Sequence, residues 1–259
     1  FMTSGHGGCD PCGLALAAVS GDIKVNAVSS FEQTVPKVAM LDNGNWMSVW
    51  AADNVILIGQ MIGARTFNAA GTGLSSDFAV DMSGTSITPD IATDGTSRFV
   101  VTWVSSQNGN QDIYARLFDA SGSALGAAFM VTSGDSAASA GDQQDPNVAM
   151  NASGDFVVTW SGKGSDDNDG IFARRFDGSG TALGGVFTVN ADTGGKQVSP
   201  DVAMNDDGRF VIAWVDEGQS KAALVRTYDA TGVAGSVITV EPNVADPAIA
   251  MDASGAFSL

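Results

Sequence analysis

Apolar and β-branched residues in this chain fall in short runs of four to six, each closed by Gly, Asn, Asp or Ser. Runs of that length with those boundaries predict β-strands. The runs recur. Pro36-Lys37-Val38-Ala39-Met40 returns as Pro89-Asp90-Ile91-Ala92-Thr93, Pro146-Asn147-Val148-Ala149-Met150, Pro200-Asp201-Val202-Ala203-Met204 and Pro247-Ala248-Ile249-Ala250-Met251, with the prolines 53, 57, 54 and 47 residues apart. After a polar turn comes a second run ending in tryptophan: Trp46 to Trp50, Phe99 to Trp103, Phe156 to Trp160, Phe210 to Trp214. A third run carries an arginine, as in Tyr114-Ala115-Arg116-Leu117-Phe118, and a Gly-containing loop leads to a fourth, as in Phe187-Thr188-Val189.

Four short strands per repeat of ~50 residues is the arithmetic of a β-propeller blade. The expected fold is therefore all-β, a propeller of five four-stranded blades with repeats starting near 36, 89, 146, 200 and 247. The recurring tryptophan suits packing between blades, where a large aromatic can bury on the order of 150–250 Å². Ile23-Lys24-Val25-Asn26-Ala27 aligns with Phe187-Thr188-Val189-Asn190-Ala191, so the N-terminal region begins with a fourth strand, and Leu14 to Val19 is a candidate third. The C-terminal region supplies a first strand and the start of a second at Phe257-Ser258-Leu259. Together the two ends would compose the closing blade; the competing reading is a fragment of a longer repeat array. Residues 1–13 lie outside the repeat as a Gly-rich arm, and 14–259 form the single propeller domain.

Composition sharpens this picture. Of 29 acidic residues only Glu32, Glu217 and Glu241 are glutamates, leaving 26 aspartates, and there are 32 glycines. Asp and Gly favour turns over helix interiors. The net charge of −17 argues against nucleic acid or an anionic membrane as partner. No apolar run approaches the ~20 residues of a membrane-spanning helix.

The succession P-x-V-A-M, G-x-F-V-V-x-W and A-R-x-F-D over residues 23–259 resembles the FG-GAP/VCBS group of repeats in large secreted bacterial proteins. The resemblance implies a propeller fold and an extracellular or cell-surface location in a bacterium. It departs from that group in lacking a complete D-x-D-x-D-G loop in any blade, so calcium binding does not carry over with it.

Candidate chemistry is sparse. Cys9 and Cys12 form a C-x-x-C with His6 upstream, which is open to a local disulfide, a linkage to another chain or group, a zinc site or a redox pair. Arg65, Arg116, Arg174 and Arg226 occupy one position per blade. As a ligand-binding ring they can grip an acidic sugar, since guanidinium pairs bidentately with carboxylate; the competing role is an ion pair within each blade. Ser165, Asp167 and Asp169 alternate before Gly170 and are the candidate calcium ligands, although an EF-hand would need a Glu where Phe176 stands. A solvated acidic hairpin is the alternative. The single histidine lies in the arm, so a Ser–His–Asp triad inside the propeller is excluded. No spacing singles out a carboxylate pair. These features predict a non-catalytic extracellular or cell-surface binding or adhesion module, with carbohydrate or a cell-surface protein as partner and calcium as the candidate cofactor. The alternatives are a self-assembling structural subunit of a filament or surface layer, linked through the arm, and a glycoside-acting enzyme.

Overall fold

The computed structural model describes residues 23–27, 32–54, 59–134, 141–164, 167–218, 222–242 and 246–259. The expectations for Cys9, Cys12, His6 and Ser165 lie outside these residues. The described chain is all-β. Its first sheet contains β1 (Gln33–Met40), β2 (Trp46–Asn54), β3 (Gly59–Phe67) and β4 (Phe78–Gly84). The second contains β5 (Ser86–Thr93), β6 (Arg98–Ser105), β7 (Asp112–Asp119) and β8 (Phe129–Met130). The third contains β9 (Gln143–Met150), β10 (Phe156–Gly162), β11 (Gly170–Phe176) and β12 (Phe187–Thr188). The fourth contains β13 (Gln197–Met204), β14 (Phe210–Asp216), β15 (Ala222–Tyr228) and β16 (Ala234–Pro242). A hairpin of β17 (Ala250–Met251) and β18 (Phe257–Ser258) follows.

Every sheet is an antiparallel meander, and successive first strands pack on one another from β1 through β5, β9 and β13 to β17. That is a propeller-like arrangement of blades around an axis lined by first strands. The repeating turns are held by Asx chemistry. Asp119 Oδ1, for example, accepts the backbone N–H groups of Ser121 and Ser123 at 2.9 Å, and Gly122 follows at φ +86° where a side chain would be strained.

The core lies between blades. Trp103 packs with Met47, Val49 and Ile62 of the first blade, Trp160 with Val100, Ile113 and Leu117 of the second, and Trp214 with Val157, Ile171 and Val189 of the third. All three indoles are completely buried. The second strand thus carries the large apolar residue because it faces the preceding blade across the interface. Full burial of such a side chain removes enough area to contribute several kcal/mol at about 25 cal/mol per Å².

Each first strand contains one irregularity. The pairing register shifts between Thr34 and Lys37, Ile87 and Asp90, Gln144 and Asn147, and Val198 and Asp201. The residue before each proline, Val35, Thr88, Asp145 and Ser199, has a positive φ between 45° and 51°. This is a β-bulge with its extra residue in the left-handed region, and the proline after it needs no ladder donor. Left-handed geometry at β-branched Val35 and Thr88 is strained. The bulge turns the residue after the proline toward the axis.

Candidate functional site

The residue after the repeat proline is Lys37, Asp90, Asn147, Asp201 and Ala248 in successive blades. Lys37 Nζ lies 3.6 Å from Asp90 Oδ1 on the next blade. The other oxygen, Asp90 Oδ2, accepts the N–H of Val148 on the third blade at 2.9 Å. Asn147 Nδ2 donates to the carbonyl of Pro200 on the fourth at 2.6 Å. Asp201 Oδ2 accepts the N–H of Ile249 at 2.7 Å, and its Oδ1 accepts that of Val202 at 2.9 Å. One side-chain position therefore links each blade to the next around the axis.

The electrostatics of this ring are uneven. Burial pushes the Asp90 carboxyl above the usual carboxylate range; Lys37 and the N–H groups of Val148 and Ile91 oppose that without cancelling it, and Asp201 adds to the rise. Burial raises Asp201 too, against the N–H groups of Ile249 and Val202 and the more distant Lys37. Lys37 thus acts on carboxylates of both the second and the fourth blades. Carboxyls whose hold on a proton is strengthened by burial are suited to exchanging one with a bound molecule. Asp90 retains 14% of its side-chain exposure.

The sequence reasoning missed this pair. Its signal was the one position in P-x-V-A-M whose chemistry changes from blade to blade while its neighbours hold. The two glutamates whose side chains are described, Glu32 and Glu217, are exposed.

The expected arginine ring is placed differently. Each guanidinium lies over an aromatic ring of its own strand, Phe67, Phe118, Phe176 or Tyr228, at 5.1 to 5.9 Å. Arg116 donates to the carbonyls of Gly126 and Val80, Arg174 to those of Gly184 and Val131, and Arg226 to those of Gly235 and Val189. The second carbonyl of each pair belongs to the preceding blade. Arg65 donates to Ser75 O and lies 3.9 Å from Asp77, the intra-blade ion pair that was the competing role. At Arg116, Arg174 and Arg226 the position ties a blade to the one before it.

Asp167 of the candidate calcium loop is buried, with Oδ2 accepting Asn190 Nδ2 at 2.7 Å and Oδ1 accepting the N–H of Asp169 at 3.1 Å. Asp169 itself is exposed. Among the described residues, no group of three His, Cys, Asp or Glu side chains is placed to hold a metal ion. No described helix is long and apolar enough to cross a membrane.

A family model described as "Peptidase_C39 like family" matches residues 1–49. No curated protein matches the chain in sequence. Among solved structures, the chain is similar to the subtype N10 neuraminidase-like protein of A/little yellow-shouldered bat/Guatemala/060/2010. The TM-score is 0.54 at 10% identity, covering 85% of this chain and 62% of that one. The chain thus spans less than two thirds of that protein's length. It is also similar to an endo-arabinase from Bacteroides thetaiotaomicron, with a TM-score of 0.52 at 13% identity, covering 92% of this chain and 91% of that one. These likenesses are likenesses of fold. The expectation of a non-catalytic, non-enzymatic binding or adhesion module is corrected here. It rested on the absence of any carboxylate pair singled out by spacing, whereas Asp90 and Asp201 take the same place on two first strands and each bonds across to the next blade. The same architecture, nearly end to end, is that of an endo-arabinase.

Proposed function

We propose that this chain acts on glycosides at the axial end of its propeller, with Asp90 and Asp201 as the acid–base pair. The observation that carries this reading is the pair of carboxyls at one first-strand position, both raised by burial, with Lys37 3.6 Å from Asp90. Glycoside hydrolysis needs one carboxylic acid to protonate the leaving oxygen and one carboxylate to act as base or nucleophile. Burial favours the protonated form of both carboxyls and Lys37 opposes it, the kind of opposed influences that acid–base chemistry uses. The fold likeness to an endo-arabinase supports arabinosides as the first substrates to try.

The reading goes with a ring of five blades closed by both ends of the chain. In support, Ile23 lies against Gly71 as Phe78 of β4 lies against Gly122 and Phe129 of β8 against Gly180, although residues 23–27 form no strand. An extracellular or cell-surface location, as the repeat resemblance implies, fits a glycan substrate.

The test is hydrolysis of a panel of neutral aryl glycosides, aryl arabinofuranosides first, by the wild-type protein and by Asp90→Asn and Asp201→Asn. Asparagine keeps an acceptor oxygen for Val148 or Ile249 but cannot trade a proton. Loss of at least ~100-fold in rate in both variants supports the pair, in line with the usual contribution of acid–base groups. No turnover by the wild type, or full turnover by either variant, would sink it.

A further inference from the structure

Away from the axis, a cavity of about 280 Å³ opens between the third and fourth blades. Its walls include Leu224 and Val237 on the apolar side, with the completely buried Trp214 behind them, and Asp192, Asp216 and Thr239 on the polar side. The polar side is anchored by a buried relay. Trp214 Nε1 donates to Gln197 Oε1 at 3.0 Å, and Gln197 Nε2 donates to Asp216 Oδ1 at 3.2 Å. The N–H of Gly218 donates to that same oxygen at 2.7 Å. Asp216 and Gln197 are both buried. A carboxylate offers about four acceptor sites, and Oδ1 is filled by two donors, so Oδ2 retains capacity for a ligand hydroxyl.

This relay breaks the repeat. Gln197 and Asp216 face each other across β13 and β14; the matching pairs are Gln33 and Ala52, Ser86 and Ser105, and Gln143 and Gly162. Where the carboxylate is missing, the blade still forms. The indole N–H groups of Trp103 and Trp160 are buried without a partner among the described residues. A carboxylate that three blades lack at this position is not required there by blade packing, and burying one costs free energy unless its bonds serve some end.

We propose that this cavity is a second, off-axis site for a single neutral sugar ring. The apolar wall suits the C–H face of a sugar, and the carboxylates of Asp192 and Asp216 accept from its hydroxyls. The same carboxylates, in a chain of net charge −17, repel a carboxylated or sulfated sugar. The volume lies just under the range of drug-sized pockets, which matches one ring and not a chain.

The experiment is an amide and indole NMR titration of the whole chain with L-arabinose, D-galactose and D-mannose, with D-glucuronate and ethylamine as charged controls. At least one neutral sugar should move the Trp214 indole and Thr239 amide signals saturably. Thr239→Arg, on an exposed rim position, should abolish those shifts while leaving the melting temperature unchanged. Asp90→Asn should leave them intact, which separates this site from the axial one. The proposal is overturned if no neutral sugar binds, if only a charged control binds, if Thr239→Arg binds normally, or if Asp90→Asn abolishes the shifts.

Discussion

Asp90 on the second blade accepts a hydrogen bond from the backbone N–H of Val148 on the third at 2.9 Å, and two blades further on Asp201 accepts from Ile249 at 2.7 Å. The carboxylates proposed to do chemistry are also fasteners between blades. Removing the side chain and removing only the charge should therefore have different effects. Asp90→Ala leaves the Val148 N–H and Lys37 without their partner and should cost about 1–3 kcal/mol of unfolding free energy. Asp90→Asn should cost less than half of that. Urea unfolding of the two variants checks the difference, and equal losses would remove the fastening role.

The pH dependence of stability should have two limbs. Asp90 and Asp201 have carboxyls raised above 3.8, with burial the first cause, so the folded state binds their protons more tightly than the unfolded chain does. Their ionisation weakens the fold at neutral pH, and that penalty is relieved as pH falls through the raised values toward 3.8. Turn carboxylates behave oppositely. In Asp94 burial pulls upward but the N–H groups of Ser97, Arg98 and Thr96 together win, and hydrogen bonds from Ser179 and Thr181 lower Asp177. Their stabilisation is complete above 3.8 and is lost as pH falls further. Stability should rise on mild acidification and drop in stronger acid. The double variant Asp90→Asn, Asp201→Asn should shrink the first limb and keep the second; an unchanged first limb would contradict the assignment.

Trp160→Ala should destabilise by about 3–5 kcal/mol, because the indole is completely buried between the second and third blades and no neighbour can fill its space. Calorimetric melting reads this directly. A loss under ~1 kcal/mol would mean the interface collapses around the gap.

Much of this was legible in the sequence, for a physical reason. A strand buried on both faces must be apolar along its length, and a turn must place Gly, Asn or Asp where the backbone needs them. The second strands with their terminal tryptophans and the Asx turns therefore showed plainly. The axial pair did not. Asp90 and Asp201 are 111 residues apart and look like two more of the 26 aspartates. Only the ring geometry shows that they stand at equivalent places on two first strands. The arginines were open to two readings, a ligand-gripping ring and a role within the blade; Arg116, Arg174 and Arg226 reach carbonyls of their own and the preceding blade, and Arg65 reaches Ser75 O and Asp77. A charge that recurs in every blade answers a need of every blade.

That contrast makes Arg174 a discriminating position. It donates to Val131 O at 2.7 Å and Gly184 O at 3.2 Å while lying over the Phe176 ring. Arg174→Ala should cost about 1–3 kcal/mol, and Arg174→Lys should recover only part, since lysine lacks the planar fork. Unchanged stability together with lost binding of an acidic sugar would restore the ligand-binding role.

The strained bulge gives the last test. Val35 stands at φ 50° on β1, and valine is among the residues least suited to that region. Glycine enters it without steric cost but loses more chain entropy on folding. The strain of a left-handed β-branched residue is of order 1–3 kcal/mol and the entropy loss is of order 1 kcal/mol, so strain relief should win. Val35 is also 42% exposed, so little packing is lost with its side chain. Val35→Gly should therefore raise stability by about 1 kcal/mol, and Val35→Asn, which also tolerates the left-handed region, should do so to a smaller extent. Urea unfolding of both variants measures this. A fall in stability with both would mean that the bulge carries no strain to release. Applied to Thr88, two residues before Asp90, the same substitution relaxes the turn that aims the axial carboxylate. If that aim matters, Thr88→Gly should gain stability while glycoside hydrolysis falls.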